Sequence, residues 1–188
     1  MTAVAFLDAS VLHSATIRSV LMYLAVGGLF RARWSAAVQD EWIAALLRDR
    51  QDIDPQRLAR TRLLMDTGIP DALVSGYEPL MASLLLPDAN DRHVLAAAIH
   101  GGAGVIVTAN VRDFPADALA PYNILAREPD RFIHGLLDSD PESAVAAFAA
   151  DRARLANPAM SPAEYIASVG GAGLTATAAA LQAFTDML

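Results

Sequence analysis

The chain has 188 residues, of which 54% are hydrophobic, so it can bury a core and is not a disordered chain. It contains no cysteine, which excludes disulfide frameworks, thiol nucleophiles and Cys-ligated zinc. Its 14 basic residues are all arginine, which excludes Walker-A loops and Schiff-base lysines, and a net charge of −7 is atypical of a non-specific nucleic-acid binder.

The first half of the chain predicts strands that alternate with helices. The apolar run at 3–7 predicts a buried parallel strand that ends at Asp8. Ser10 is expected to cap the helix that follows. The next elements are predicted, in chain order, as a helix over 11–27, a strand over 29–34, and helices over 36–50 and 55–67. Residues 69–86 favour no single element.

The second half predicts the rest of a sheet and then only helices. The expected elements are, in order, a helix over 89–100, a strand over 105–108, a turn or short helix over 116–119, a strand over 124–125, and helices over 128–138, 141–155, 162–169 and 174–187. The fold class is therefore α/β, with a small central parallel sheet flanked by helices and an all-helical C-terminal extension. The division is predicted between residues 1–127 and 128–188.

Acidic and amide side chains follow the two strongest predicted strands and begin the helix between them. The set consists of Asp8, Asp88, Asn90, Asp91, Asn110 and Asp113, with Glu41 on the helix over 36–50. Each of these residues also has an ordinary structural explanation, as a helix cap, a turn residue or part of a solvated helix face. Their combination favours one site, because the carboxyl ends of strands in an open α/β sheet meet where ligands bind.

Carboxylates that converge in this way favour a bound cation. Like charges close together destabilise one another and raise their pKa values unless a cation is present. Oxygen ligands, without cysteine or clustered histidine, favour a hard divalent ion such as Mg²⁺ or Mn²⁺. Such a site suits phosphoryl chemistry, because the ion lowers the pKa of a bound water and offsets the charge that develops on phosphate.

These motifs resemble those of PIN-domain ribonucleases, and more narrowly of VapC-like toxins from bacterial toxin–antitoxin pairs. The resemblance is carried by F-L-D-A-S (6–10), the helical Glu41, P-D-A-N-D-R-H-V-L-A-A-A (87–98) and V-I-V-T-A-N-V-R-D-F-P (105–115). It covers about residues 3–127. The tail at 128–188 resembles a helical extension found in one subgroup of these toxins.

The resemblance implies a Mg²⁺- or Mn²⁺-dependent ribonuclease that hydrolyses RNA phosphodiester bonds. The catalytic residues it implies are Asp8, Glu41, Asp91 and Asp113, and the metal-ligand candidates add Asp88 and Asn110. Many members carry aspartate where Asn110 stands, so either Asn110 or Asp113 completes the site. The resemblance also implies a cognate antitoxin and a homodimer. The absence of a basic leader and of a membrane-spanning run predicts a cytoplasmic protein without a membrane partner.

Three further residues are candidates for substrate contact. Arg92 and Arg112 flank the acids, and Ser10 is expected near Asp8, where it binds a ligand carboxylate or the phosphate, or only caps a helix. His93 is expected to be a core or interface residue and not a ligand. Two alternative functions stay open, namely a non-catalytic PIN-like interaction module and a Mg²⁺-dependent phosphatase with Asp8 as its nucleophile.

Overall fold

The computed structural model describes residues 2–156 and 158–188, which include a five-stranded sheet. The strands are β1 (Val4–Leu7), β2 (Arg31–Ser35), β3 (Leu73–Val74), β4 (Val105–Val107) and β5 (Leu125–Arg127). Neighbouring strands are parallel, and their order across the sheet is β3-β2-β1-β4-β5. The predicted α/β class with a small parallel sheet is confirmed.

The strand order creates a switch point beside the central strand. From β1 the chain moves to β2 and β3 on one side, and it then returns to the other side of β1 for β4 and β5. The loops that leave β1 and β4 therefore diverge, and they open a crevice at the carboxyl edge of the sheet. In open α/β sheets this is the place where ligands bind.

The helix predicted over 11–27 is in fact two helices, α1 (Ala9–His13) and α2 (Ala15–Val26). Ser14 separates them because its backbone is extended, and its hydroxyl accepts a hydrogen bond from the Ile17 backbone N–H. The prediction that Ser10 caps the first helix is wrong. Asp8 is the cap, since its carboxylate accepts the Ala9 N–H at 2.8 Å.

The following helices agree closely with the predictions. They are α3 (Ala36–Asp49) and α4 (Pro55–Gly68), capped by the side chains of Ser35 and Asp54. The segment 69–86, which predicted no single element, contains two 3₁₀ turns and the two residues of β3. β3 forms because it pairs with β2, where Trp34 lies opposite Leu73.

The helix predicted over 89–100 begins later than expected. A 3₁₀ turn spans Ala89–Asp91, and α5 covers Arg92–His100. The next strand, β4, ends one residue before the predicted limit, so Thr108 lies just beyond the strand. A short helix, α6 (Ala116–Leu119), then leads to β5, which begins one residue after the predicted strand and is longer.

The C-terminal region is helical, as expected. Its helices are α7 (Pro129–Ser139), α8 (Pro141–Ala153), α9 (Pro162–Gly171) and α10 (Thr175–Leu181), and a 3₁₀ segment replaces the predicted end of the last helix. α8 packs on α2, and Phe132 meets Phe30 edge to face at 5.1 Å between ring centroids. The division at 127/128 stays a prediction. In the described part of the chain, no helix combines the length and apolar character that crossing a bilayer requires.

Asp130 in α7 acts as a cap for the start of α10. Its carboxylate accepts hydrogen bonds from the backbone N–H groups of Ala176 (2.8 Å) and Thr177 (2.9 Å) and from the Thr177 hydroxyl (2.7 Å). Burial alone would raise the pKa of Asp130, but these hydrogen bonds outweigh it and lower the pKa below its ordinary value.

We expect Asp130→Ala to lower the free energy of unfolding by about 1 kcal/mol at pH 7, the usual cost of a lost cap. Because the pKa of Asp130 is lower in the folded state, the ionised carboxylate stabilises the folded state at pH values above about 4, the pKa of an unfolded-state aspartate. The difference between wild type and variant should therefore shrink as the pH falls through the folded pKa of Asp130, as measured by urea unfolding. Asp138→Ala, on the same helix but exposed, is the control. An equal loss in both variants would contradict the capping role.

Candidate active site at the carboxyl edge of the sheet

Asp8 stands at the end of the central strand and is only 8% exposed. One carboxylate oxygen, Oδ1, accepts the Ala9 N–H. The other, Oδ2, accepts the hydroxyls of Ser10 at 2.6 Å and Thr108 at 2.8 Å. The register of the sheet explains the second contact, because Leu7 lies opposite Val107 and the next residues on both strands are Asp8 and Thr108. The ends of β1 and β4 are thus joined through the Asp8 carboxylate.

Thr108 is a site residue that sequence reasoning missed. It is fully buried, and its hydroxyl also accepts the Asn110 backbone N–H at 3.0 Å. The Ser10 hydroxyl likewise accepts the Ala109 N–H at 3.0 Å. These bonds fix the turn after β4 against the start of α1. The sequence did contain a signal for it: Thr108 directly follows the apolar run of β4, just as Asp8 directly follows that of β1.

Asp91 lies half-buried at the end of the 3₁₀ turn that precedes α5. Its pKa is raised to about 6, first by burial and then by the negative charges of Asp113, Asp8 and Asp88, while His93 acts in the opposite direction. Four carboxylates from three separate parts of the chain therefore lie close enough to disfavour one another's charge. Asp88 itself is exposed and caps the 3₁₀ turn by accepting the Asn90 N–H at 2.8 Å.

Glu41 reaches the site beside His93. The Glu41 Oε1 and His93 Nε2 atoms are 2.8 Å apart, with the glutamate side chain 46% exposed and the histidine 13%. Burial lowers the pKa of His93, but the hydrogen bond to Glu41 and the charges of Glu41, Asp8 and Asp91 outweigh it and raise the pKa above its ordinary value. The structure thus pairs His93, expected in the core or an interface, with a site carboxylate. Its position two residues after Asp91 was the available signal.

The turn after β4 carries the remaining candidates. Asp113 is half-buried and contributes to the raised pKa of Asp91, whereas Asn110 is exposed and its side chain forms no capping bond. Arg112 is exposed. Arg92 is half-buried, and its Nε is buried without a hydrogen-bond partner among the described residues. Asp113 therefore adds negative charge to this cluster, and the neutral Asn110 adds none.

The carboxylate oxygens of the site are suited to a hard divalent ion, but their side chains are not arranged around one point. Within residues 2–156 and 158–188, no three His, Asp or Glu side chains are arranged to hold a metal ion. In the same part of the chain, Asp8 Oδ2 accepts two hydroxyls and Glu41 Oε1 lies 2.8 Å from His93 Nε2. Carboxylate oxygens still form the donor set that Mg²⁺ and Mn²⁺ prefer, and the raised pKa of Asp91 indicates negative charge that a cation would relieve.

Comparison with known proteins gives two family matches. Residues 4–112 match the PIN domain family, and residues 129–183 match a family described as the VapC50 C-terminal domain. A Mycobacterium tuberculosis protein named "Putative ribonuclease VapC50" is 48% identical over 71 residues. That match covers 38% of this chain and 41% of the relative, so it spans less than half of the relative's length. No solved structure matches significantly.

Proposed function

The chain belongs to the PIN domain family, and from this premise we propose that it is a Mg²⁺- or Mn²⁺-dependent ribonuclease and the toxin of a toxin–antitoxin pair. The observation that carries the proposal is the convergence of Asp8, Asp91 and Asp113 at the switch point of the sheet, where the pKa of Asp91 is raised to about 6. The similarity to the named ribonuclease supports the same activity.

In this proposal the acidic residues have different roles in binding the ion. Asp8, Glu41 and Asp91 hold it, Asp113 completes the set in preference to Asn110, and Asp88 adds charge nearby. When bound, the ion supplies a water of lowered pKa and offsets the negative charge that develops on the phosphate. The hydroxyls of Ser10 and Thr108 keep the Asp8 carboxylate in one orientation. Glu41 can use its second oxygen while the first stays hydrogen-bonded to His93.

Arg92 and Arg112 are the proposed contacts to the substrate near the scissile phosphate. Arg92 directly follows Asp91 in the sequence, and Arg112 lies two residues after Asn110. Arg112 is exposed. A guanidinium binds phosphate oxygens through two parallel hydrogen bonds, which suits this task. Ser10 also lies next to Asp8, although its hydroxyl is already engaged with that carboxylate.

The phosphatase alternative is disfavoured by the surroundings of Asp8 and by the composition of the chain. The residue two positions after Asp8 is Ser10, whose hydroxyl donates to Asp8 Oδ2 at 2.6 Å, where such phosphatases usually carry a second aspartate, and the chain has no lysine. A phosphoaspartate trapped at Asp8 would revive that alternative. The non-catalytic alternative would gain support from a protein that cleaves no RNA under any metal condition.

The proposed partners follow from the toxin assignment. They are an RNA substrate, a cognate antitoxin that blocks the acidic site, and a second copy of the chain. An antitoxin arginine inserted among the carboxylates would suit their charge. The cytoplasm is the proposed location.

The function is tested by incubating purified protein with cellular RNA in Mn²⁺, in Mg²⁺ and in EDTA, and by sequencing the RNA ends produced. We expect new ends at defined positions with either metal and none in EDTA. Asp8→Asn is the control for a contaminating nuclease. Equal cleavage by wild type and Asp8→Asn would refute the proposal.

We expect His93→Leu to weaken Mn²⁺ binding about tenfold to a hundredfold, the usual range when a residue that orients a metal ligand is lost. His93→Gln should retain most of the affinity, because the glutamine amide can donate to Glu41 Oε1 from the position of Nε2. Binding is measured by Mn²⁺ titration followed by electron paramagnetic resonance.

His134→Leu is the matched control, since His134 lies 3.1 Å from Asp138 in the C-terminal extension, far along the chain from the site. Its Mn²⁺ affinity should equal that of the wild type. Equal affinities of His93→Leu and wild type would show that His93 does not position Glu41.

A further inference from the structure

A groove leaves the acidic site between α1 and α3. Its first part is a cavity of about 430 Å³ whose walls include Ser10 and Glu41 at the site end and His13 and Arg48 at the other. Two residues of the site therefore form the near wall of this cavity. Any substrate strand that extends past Glu41 in this direction enters the groove.

The groove continues into a second cavity of about 670 Å³. His13 lines both cavities, which makes them neighbours. The charged residues that line the second one are Arg18, Arg50 and Arg57, with one carboxylate, Asp49. We call the surface formed by His13, Arg48, Arg50 and Arg57 the basic groove. It begins at the carboxylates and ends at α4.

The direction of the groove follows one face of α3. Glu41, Ala45 and Arg48 are spaced by four and three residues, so they lie in a row on the helix, and all three line the first cavity. At 1.5 Å per residue, Arg48 is about 10 Å along the helix from Glu41. The Arg48 guanidinium therefore lies away from the acidic site and does not neutralise the charge of its carboxylates.

Two of the groove arginines have charge available for a ligand. Arg57 is exposed and forms no salt bridge with any residue in the described part of the chain. Arg48 is exposed, and its carboxylate neighbour, Asp49, is 3.9 Å from its Nε and only 3.1 Å from His13. Arg50 differs, because two of its nitrogens bind Asp52 at 2.9 and 2.8 Å.

We propose that single-stranded RNA runs from the acidic site along the basic groove, with its phosphates bound by Arg48 and Arg57. The inference rests on the proposed ribonuclease function and adds the path of the substrate beyond the cleaved bond. A negative protein needs such a local positive path to bind a polyanion. Without a base-reading side chain among these contacts, the path contributes affinity and orientation but no sequence specificity.

The test measures RNA binding separately from cleavage. Arg48→Gln, Arg57→Gln and Arg31→Gln are each made in an Asp91→Asn background, and fluorescence anisotropy follows a labelled single-stranded RNA in Mg²⁺ over a range of salt concentrations. Arg31 is the matched control, since it is also exposed but lies at the amino end of β2, away from the carboxyl edge. Melting temperatures check that the variants fold.

We expect Arg48→Gln and Arg57→Gln each to weaken binding about threefold to fivefold at low salt. Each should also reduce the slope of log K against log salt by about 0.7, the value for one lost phosphate contact on a single strand. Arg48→Lys and Arg57→Lys should restore the slope, because the charge is retained. Arg31→Gln should change neither quantity.

The outcomes separate the inference from the proposed function. If the wild type cleaves RNA and the groove variants keep the same slope as Arg31→Gln, the RNA takes another path and the inference is wrong. If the Asp91→Asn protein binds no RNA and the wild type cleaves none, the ribonuclease function fails and the inference fails with it. Weakened binding of a protein partner alone, with RNA binding unchanged, also overturns the inference.

Discussion

We expect Asp91→Asn to abolish the proposed RNA cleavage and at the same time to make the metal-free protein more stable. The Asp91 pKa is raised to about 6 by burial and by Asp113, Asp8 and Asp88, so at neutral pH the ionised carboxylate opposes folding. Asparagine removes that charge. Because solvent screens this partly exposed group, we expect a gain of about 1 kcal/mol at pH 7.5, or roughly 2–4 °C in melting temperature.

The response to metal should change in the opposite direction. A divalent ion that binds only the folded state stabilises the wild type by about 2.7 kcal/mol at a hundredfold excess over its dissociation constant. This corresponds to a rise of roughly 5–11 °C in melting temperature. Asp91→Asn should lose most of that rise, because one of the proposed ligands is gone.

The control for Asp91→Asn is Asp117→Asn, an exposed carboxylate on α6 whose Oδ1 accepts only the adjacent Ala118 N–H. Its cleavage rate and its Mn²⁺-dependent melting should match those of the wild type. Scanning calorimetry with and without Mn²⁺ provides both comparisons. A wild type that melts at the same temperature in EDTA and in excess Mn²⁺ would count against the metal centre.

Asp151→Ala should cost about 3 kcal/mol, roughly 6–12 °C in melting temperature, by leaving buried polar groups of the extension without an acceptor. Asp151, in α8, is only 2% exposed. It accepts hydrogen bonds from the hydroxyl of Ser19 in α2, from the hydroxyl of Tyr165 in α9 at 2.7 Å, and from Arg154 Nε at 2.8 Å. The carboxylate therefore joins two helices of the extension to α2.

A double-mutant cycle identifies the source of this cost. Burial and the Asp151 charge raise the pKa of Tyr165, so its hydroxyl stays protonated and donates to Asp151. Tyr165→Phe alone should cost about 1 kcal/mol, but little or nothing when Asp151 is already alanine, because the bond is then absent. Urea unfolding measures the four proteins.

Glu142→Ala, exposed on the same helix α8, is the control and should change stability by less than about 0.5 kcal/mol. Additive costs in the cycle would contradict a direct Asp151–Tyr165 bond. A loss in Asp151→Ala that equals the loss in Glu142→Ala would show that the carboxylate does not join the helices.

Local patterns alone predicted most elements of this chain. The strands β1 and β4 are short apolar runs, and their burial in a parallel sheet explains why the pattern was readable. The extension helices α7, α8 and α9 begin at prolines, whose restricted φ suits the first helical position, so their starts were predicted to within one residue. The clustering of acids at strand ends also followed from the sequence, because the carboxyl ends of parallel strands share one edge.

Tertiary contacts decided the features that local patterns could not predict. β3 has two residues and exists only through its pairing with β2, so no periodicity could identify it. The charge effect of Asp113 on Asp91 likewise joins two distant parts of the chain and depends on the path of the turn after β4.

The same is true of individual side chains. Thr108 meets Asp8 across a separation of 100 residues, and Ser19 meets Asp151 across 132. His93 finds Glu41 only because α3 and α5 end up beside the same edge of the sheet. The sequence by itself determined four of the five strands, most of the helices and the set of acids, since these depend on neighbours in the chain. Only the folded chain decided which hydroxyl, imidazole or buried carboxylate meets which partner, because those bonds join residues that no local preference relates.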